Sequence, residues 1–304
     1  MKKRIIYLLL LISGSGFAQQ EAQYTQYMYN TANVNPGYAG TRGCFSALVM
    51  HRSQWVGLEG APQTNTVALS TPLGLNNKMG LGVSVINDKI GPSDENAISV
   101  DLSYNIDTSE RSKLSFGLKG TANFFSVDFN KTKIHNVTDG LLRQNVDNRF
   151  FPNIGAGAFW YSDKSYVGLS IPFILEQKYY DNDVQYVASE RMHPHLIAGH
   201  VFRLSSEVQF KPSTMIKYVN GAPLQVDLSG NFWFNEKFSL GAAYRWSAAW
   251  SAMAGFQIND SWLIGYAYDR DVTRLGNFNS GSHEIFLRYE LFKRVEKVVA
   301  PRFF

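Results

Sequence analysis

Between Leu224 and Phe292, large apolar residues recur at every second position in five stretches of about ten residues, set apart by turns and one longer loop. Leu224, Val226, Leu228, Phe232 and Phe234 alternate with Gln225, Asp227, Ser229 and Asn231. Phe238, Leu240, Ala242, Tyr244 and Trp246 then alternate with Ser239, Gly241, Ala243 and Arg245. A period of two belongs to a β-strand, whose successive side chains point to opposite faces, and here the two faces suit different surroundings. The apolar face either fills the core of a soluble sandwich or meets lipid around a barrel with a polar interior.

The same pattern predicts strands near 44–52, 63–71, 79–86, 97–106, 113–126, 153–161, 165–171, 195–203, 206–217, 224–234, 238–246, 250–258, 262–269 and 283–292. That count is fourteen, an even number as single-chain outer-membrane barrels have. Connections after even-numbered strands tend to be tight and rich in turn formers, as in Ser162-Asp163-Lys164, Asn235-Glu236-Lys237 and Asn259-Asp260-Ser261. Those after odd-numbered strands include the long segments 127–152, 172–194 and 270–282. Segregation by parity fits short periplasmic turns and longer outer loops, although Greek-key sandwiches also have long crossovers. Aromatic residues beside the tight turns (Phe159, Trp160, Tyr161, Tyr166, Phe232, Trp233, Phe234, Phe238, Phe256 and Trp262) read as one interfacial girdle, or as sandwich core. Pro212 interrupts the ninth strand and would need a bulge.

The start of the chain favours the barrel. Lys2, Lys3 and Arg4 precede an apolar run from Ile5 to Ile12 and a small-residue stretch ending at Ala18, the layout of a secretory signal peptide. Eight apolar residues are too few to span a bilayer as a helix, and no later stretch approaches the required length. Removal of residues 1–18 takes away three positive charges and reduces the formal +4 to +1, which leaves no electrostatic case for nucleic acid. The single Cys44 has no partner for an intrachain disulfide. A membrane protein without spanning helices must be a closed barrel, since only that otherwise satisfies every backbone group in lipid. The expected layout is a signal peptide at 1–18, a periplasmic or lumen-plugging segment at 19–43, an all-β transmembrane barrel at 44–292 and a tail at 293–304.

Catalytic chemistry finds little support. His193, His195 and His200 lie close in sequence, but no Cys, Asp or Glu joins them at metal-ligand spacing, and a loop tip explains them. Gly80-Leu81-Gly82 and Gly155-Ala156-Gly157 lie within strand patterns with no helix after them, so they are wall glycines and not phosphate loops. No nucleophile-elbow pattern marks a serine. The expectation is therefore no catalytic set, no cofactor and no metal. Asp101, Lys119, Lys211, Lys217, Asp227, Arg245, Arg288 and Glu290 fall on the inward parity, where they line a wet pore or pair across a plugged interior.

The stretch from Gln23 to Gly40, with Gln26-Tyr27-Met28-Tyr29-Asn30 and Asn35-Pro36-Gly37-Tyr38-Ala39-Gly40, strongly resembles the PorP/SprF family. His51 to Pro62, Gly80 to Pro92, Tyr161 to Pro172 and Gly281 to Ile285 follow in family order, so the resemblance covers essentially the whole mature chain. It implies an outer-membrane barrel component of the type IX secretion system of the Bacteroidetes. Such a component would bind the C-terminal domain of a secreted surface protein, such as a gliding adhesin, and work beside periplasmic ring proteins. The candidate partner-binding residues are Gln26, Tyr27, Asn30, Asn35, Pro36, Tyr38, Gly40, Arg52, Gln54, Trp55 and Gly57. The tyrosines equally suit a plug in the barrel's own lumen, and Arg52 to Gly60 would lie outside or line the outer mouth. The competing reading is a passive small-molecule channel with a mixed-charge lumen.

Overall fold

The computed structural model describes residues 22–74, 76–129, 145–178, 189, 190 and 192–291. The expected signal peptide and C-terminal tail, and parts of loops 127–152 and 172–194, lie outside the described residues. Fourteen long strands follow in chain order. They are β1 (Phe45–Ser53), β2 (Gln63–Leu73), β3 (Met79–Ile90), β4 (Ser93–Ser109), β5 (Ser112–Val127), β6 (Val146–Ser162) and β7 (Ser165–Ile171). Then come β8 (His195–His200), β9 (Val208–Lys217), β10 (Gln225–Phe234), β11 (Phe238–Arg245), β12 (Ala249–Gln257), β13 (Trp262–Asp271) and β14 (Ser282–Leu291). Each pairs antiparallel with its neighbours in sequence, and β14 pairs back onto β1 from Phe45↔Leu291 to Ser53↔His283. The sheet is thereby a closed fourteen-stranded barrel without free edges. Among the described residues no helix is long and apolar enough to cross a membrane.

Burial along the strands is the reverse of that in a water-soluble protein. On β4, Ile98, Val100, Leu102, Tyr104 and Ile106 are exposed, while Ser99, Asp101, Ser103 and Asn105 are buried. Leu118 on β5 and Leu169 on β7 are 68% and 61% exposed, whereas Asp101 is 1% exposed. An apolar surface this extensive is stable only against lipid. From Ile98 to Ile106 the outer face of β4 covers roughly 20 Å of height at a ~40° tilt, close to the ~25 Å band typical of such barrels. Above it, His51, Asn65, Asn87 and Asn96 stand directly opposite one another across β1 to β4 and are joined by side-chain hydrogen bonds. That polar row ends the lipid-facing band on this side of the barrel.

All fourteen expected strands are present, and three run farther than alternation indicated: β3 to Ile90, β4 from Ser93 and β6 from Val146. In β3 and β4 these extensions are mostly polar on both faces, and in β6 the adjacent Phe150 and Phe151 lie on opposite faces, so neither gives a clean period-two signal. Six connections, at 74–78, 110–111, 163–164, 201–207 (within which Phe202–Arg203 still pairs with β9), 235–237 and 258–261, form a tight-turn end. In one of them Asn235 and Glu236 both take positive φ, the type I′ sense that matches strand twist. The opposite end carries 54–62, 128–145, 172–194, 218–224 and 272–281, with short exceptions at 91–92 and 246–248. By the usual arrangement of these barrels the tight-turn end faces the periplasm.

Three expectations are corrected. Pro212 needs no bulge toward β10, where it pairs in register with Gly230; instead the β8 ladder lapses between Gly199 and Phe202, beside the missing N–H. The aromatic girdle is divided, because adjacent residues face opposite sides: Phe232, Phe238 and Phe256 point outward, whereas Phe159, Tyr161, Tyr166 and Trp233 are buried in the lumen. Arg52 is part of β1 and points inward, 1% exposed, and is not in the outer loop.

Candidate functional site: a filled lumen and its mouth

Residues 22–43 occupy the inside of the barrel. The short helix α1 (Thr31–Val34) and the 3-10 turn Pro36–Tyr38 are linked by Asn35, whose extended backbone and side-chain acceptor cap the turn at the Gly37 N–H. Pro36 suits the first position of that turn, where no backbone N–H is needed. The segment starts near the loop end of β1, β13 and β14 and finishes near the tight-turn end of β14, so it traverses the lumen before entering β1.

Two ionic clusters hold its ends. Near the loops, Arg52 contacts Asp269 at 2.6 Å and Glu284 at 3.0 Å. The Glu284 carboxylate accepts the backbone N–H groups of Gln26 (2.8 Å) and Thr25 (3.0 Å), and the Thr25 hydroxyl donates to Asp269. Near the tight turns, Arg42 pairs with Glu290 and donates to the Tyr38 hydroxyl at 3.0 Å. Charges buried together in this way are stable because each finds an opposite charge and further hydrogen bonds.

Between the clamps the segment is seated by absent side chains. A Cβ on Gly117 would lie 2.2 Å from the Pro36 carbonyl carbon, and one on Gly157 would lie 2.3 Å from the Asn35 side-chain oxygen. Asn35 Nδ2 uses this space to donate to the Ala158 and Leu169 carbonyls, at 3.0 and 3.2 Å. Gly40, at φ +69°, lies against Gly80 where a Cβ would meet its Cα at 2.6 Å. Of the wall glycines seen in the sequence, Gly80 and Gly157 are sockets for the Asn35-to-Gly40 run, whereas Gly155 makes room for the Pro172 backbone. The tyrosines fill the rest: Tyr29 packs on Phe286, Tyr38 meets Phe159 edge-on, Tyr24 bonds Thr66 and Tyr27 bonds Ser229. The inner wall is consequently less polar than alternation implied, with Leu48, Met50, Ile197 and Leu263 buried against this aromatic segment.

Of the candidate partner-binding residues, Gln26, Tyr27, Asn30, Asn35, Pro36, Gly40, Arg52 and Gln54 are buried and Tyr38 is half-buried. Trp55 is half-buried at the loop end and Gly57 is exposed there. Trp55 takes φ +47°, rare for a bulky residue, and its N–H donates to Ser282 Oγ. Val56 exchanges backbone hydrogen bonds with Ser280 and Gly281, which joins the β1–β2 and β13–β14 loops into one rim. All eight predicted lumen charges do face inward: Lys119 pairs with Asp101 at 3.2 Å, and Arg245 with Asp227 at 2.7 Å. Asp269 and Glu284 were missed, although Glu284 shares the parity of Arg288 and Glu290. His193 and His195 are not loop tips; both are buried in the wall of the mouth, while His200 bonds Ser165 near the tight turns.

The chain matches the family described as type IX secretion system membrane protein PorP/SprF over residues 16–289. It belongs to the PorP/SprF family. As a PorP/SprF protein with this fold it is an outer-membrane component of type IX secretion, a family of secretion proteins and not a known enzyme family. No curated protein matches the chain. Similar solved structures include the outer membrane protein Omp33 of Acinetobacter baumannii, at 9% identity and TM-score 0.46, covering 82% of this chain and 99% of that one. A Pseudomonas aeruginosa FadL homologue is similar at 12% identity and TM-score 0.46, covering 92% and 96%. The CymD monoaromatic hydrocarbon channel is similar at 10% and 0.48, covering 91% and 96%. At these values the PorP/SprF assignment rests on the family match alone.

Proposed function

We propose that this PorP/SprF chain is a non-catalytic barrel that binds a cognate secreted protein, of the gliding-adhesin kind, by its C-terminal domain and supports its export and surface attachment. The cargo docks at the loop end, while the tight-turn end faces periplasmic apparatus such as the ring proteins. A signal peptide ending near Ala18 delivers the chain. The observation that carries this reading is the lumen, which is filled by residues 22–43 and clamped through Arg52–Glu284 and Arg42–Glu290. Such an interior weighs against passive conduction and leaves the rim around Trp55 and Val56 as the surface available to a partner. Rigid walls carrying linked loops are the usual platform for recognition.

The test compares surface proteomes of cells with and without the gene, and of cells bearing Trp55→Ala. Loss of specific surface proteins from the deletion strain, and their reduction by Trp55→Ala with normal barrel assembly, is the expected result. Unchanged surface proteins and spreading in the deletion strain would remove the proposal.

A further inference from the structure

At the loop end, between the lumen segment and the wall, lies a cavity of about 570 Å³, within the ~300–1,000 Å³ range of ligand sites. Tyr24, Tyr27, Asn33 and Val34 of the lumen segment line it from below, and by the usual arrangement of these barrels its mouth faces outside the cell. Register sets its inward polar groups in two rows. The upper row runs from Gln54 beside Pro62 to Ile90 opposite Ser93, and the lower from Thr64 through Asp88 to Glu95. Gln54 is 9% exposed, and among the described residues its side-chain amide has no protein partner. Asp88 accepts from Thr64 at 2.6 Å through one oxygen, which leaves lone pairs on the other for a further donor. The remaining ionic groups are engaged within the protein: Lys119 pairs with Asp101 at 3.2 Å, and Glu95, His195 and Lys217 have partners of their own. Between the polar groups stand the rings of Tyr24, Tyr27, Trp55, Phe125 and Phe173. Trp55 is held at φ +47°, a costly backbone for a bulky residue, and strain of this kind gathers at ligand clamps.

We propose that this cavity binds a short neutral oligosaccharide, whose hydroxyls meet the Gln54 amide, the Asp88 carboxylate and Ser93 and whose C–H faces lie on the aromatic rings. Each sugar hydroxyl both donates and accepts, so it suits an amide and an acceptor-only carboxylate alike. A charged peptide meets ionic groups that already have partners. A neutral peptide would draw on main-chain pairing, but β3, β4 and β5 in this wall are each paired on both sides. An acyl chain would cover Gln54 and Asp88 without giving them a hydrogen bond, at a cost in free energy. The inference goes beyond cargo docking and does not depend on it.

The test uses the full-length protein in micelles of an amine-oxide detergent, which has no sugar head group to compete. Equilibrium dialysis is run against maltotriose, cellotriose, mannotriose and N-acetylchitotriose, with an end-blocked Ser-Gly-Ser-Gly-Ser peptide as the neutral competitor class. At least one trisaccharide should be retained and the peptide should not. Gln54→Leu, which removes the amide at similar size, should weaken that retention about fivefold, the effect of about one lost hydrogen bond. Phe173→Ala should weaken it by a similar factor through loss of a ring face. Each variant is first checked for the heat-modifiable gel mobility of a folded barrel, and either one alone suffices to read the result. Absent retention of all four trisaccharides, retention unchanged in the folded variants, or retention of the peptide equal to that of the sugars overturns the proposal. Cargo docking is read separately, from the surface proteomes, and stands or falls on those.

Discussion

Arg52 and Glu284 face each other across the β1–β14 seam, 3.0 Å apart, where the last strand closes onto the first. The same Glu284 carboxylate accepts the N–H groups of Thr25 and Gln26, so one side chain ties barrel closure to the lumen segment.

Glu284→Gln should therefore weaken closure and segment together. Breaking a buried pair from one side costs about 3–5 kcal/mol. Urea unfolding of the protein in lipid vesicles should register that loss, and an unchanged midpoint would show that the pair carries no stability.

Deleting residues 24–41 should convert a closed barrel into a conducting one. The wild-type protein is expected to give no steady current in a planar bilayer, and the deletion variant a steady cargo-independent one. Steady conduction by the wild type would restore the channel reading.

Gly117→Ala should lift the Asn35–Pro36 turn off the wall, since its new Cβ meets Pro36 backbone, whereas Gly120→Ala in the same strand meets nothing within 4 Å. Overpacking of this kind costs about 1–3 kcal/mol. Trypsin cleavage after the buried Arg42 should rise in the first variant and stay at the wild-type level in the second.

Leu118→Lys places a charge on the lipid face and should cost about 2–4 kcal/mol, against about 0–1 for Asn96→Lys beside the polar row. Folding yield into vesicles, followed by gel mobility, distinguishes them. A soluble sandwich would show no such depth dependence.

Much of the wall was legible because alternation is local: each strand from Phe45 to Leu291 declares its own two faces without reference to the others. Legibility failed where the local signal is blank or doubled. The extensions Asn87–Ile90 and Ser93–Asn96 carry mostly polar residues on both faces, and Arg52 looked like loop because it stands at the end of its strand. Eight inward charges were found by parity, but the cluster of Arg52, Asp269 and Glu284 was not, since these residues come from three strands and meet Thr25 more than two hundred positions away from two of them.

The amino-acid sequence by itself determined a fourteen-stranded oily-outside wall and its family, because a period of two and ordered motifs are properties of neighbouring residues. Only the tertiary structure decided that Gln26, Tyr27 and Asn35 are interior and that Gly117 and Gly157 are sockets. Those facts depend on which backbones come within a few ångströms after the seam closes, and no local pattern encodes that distance.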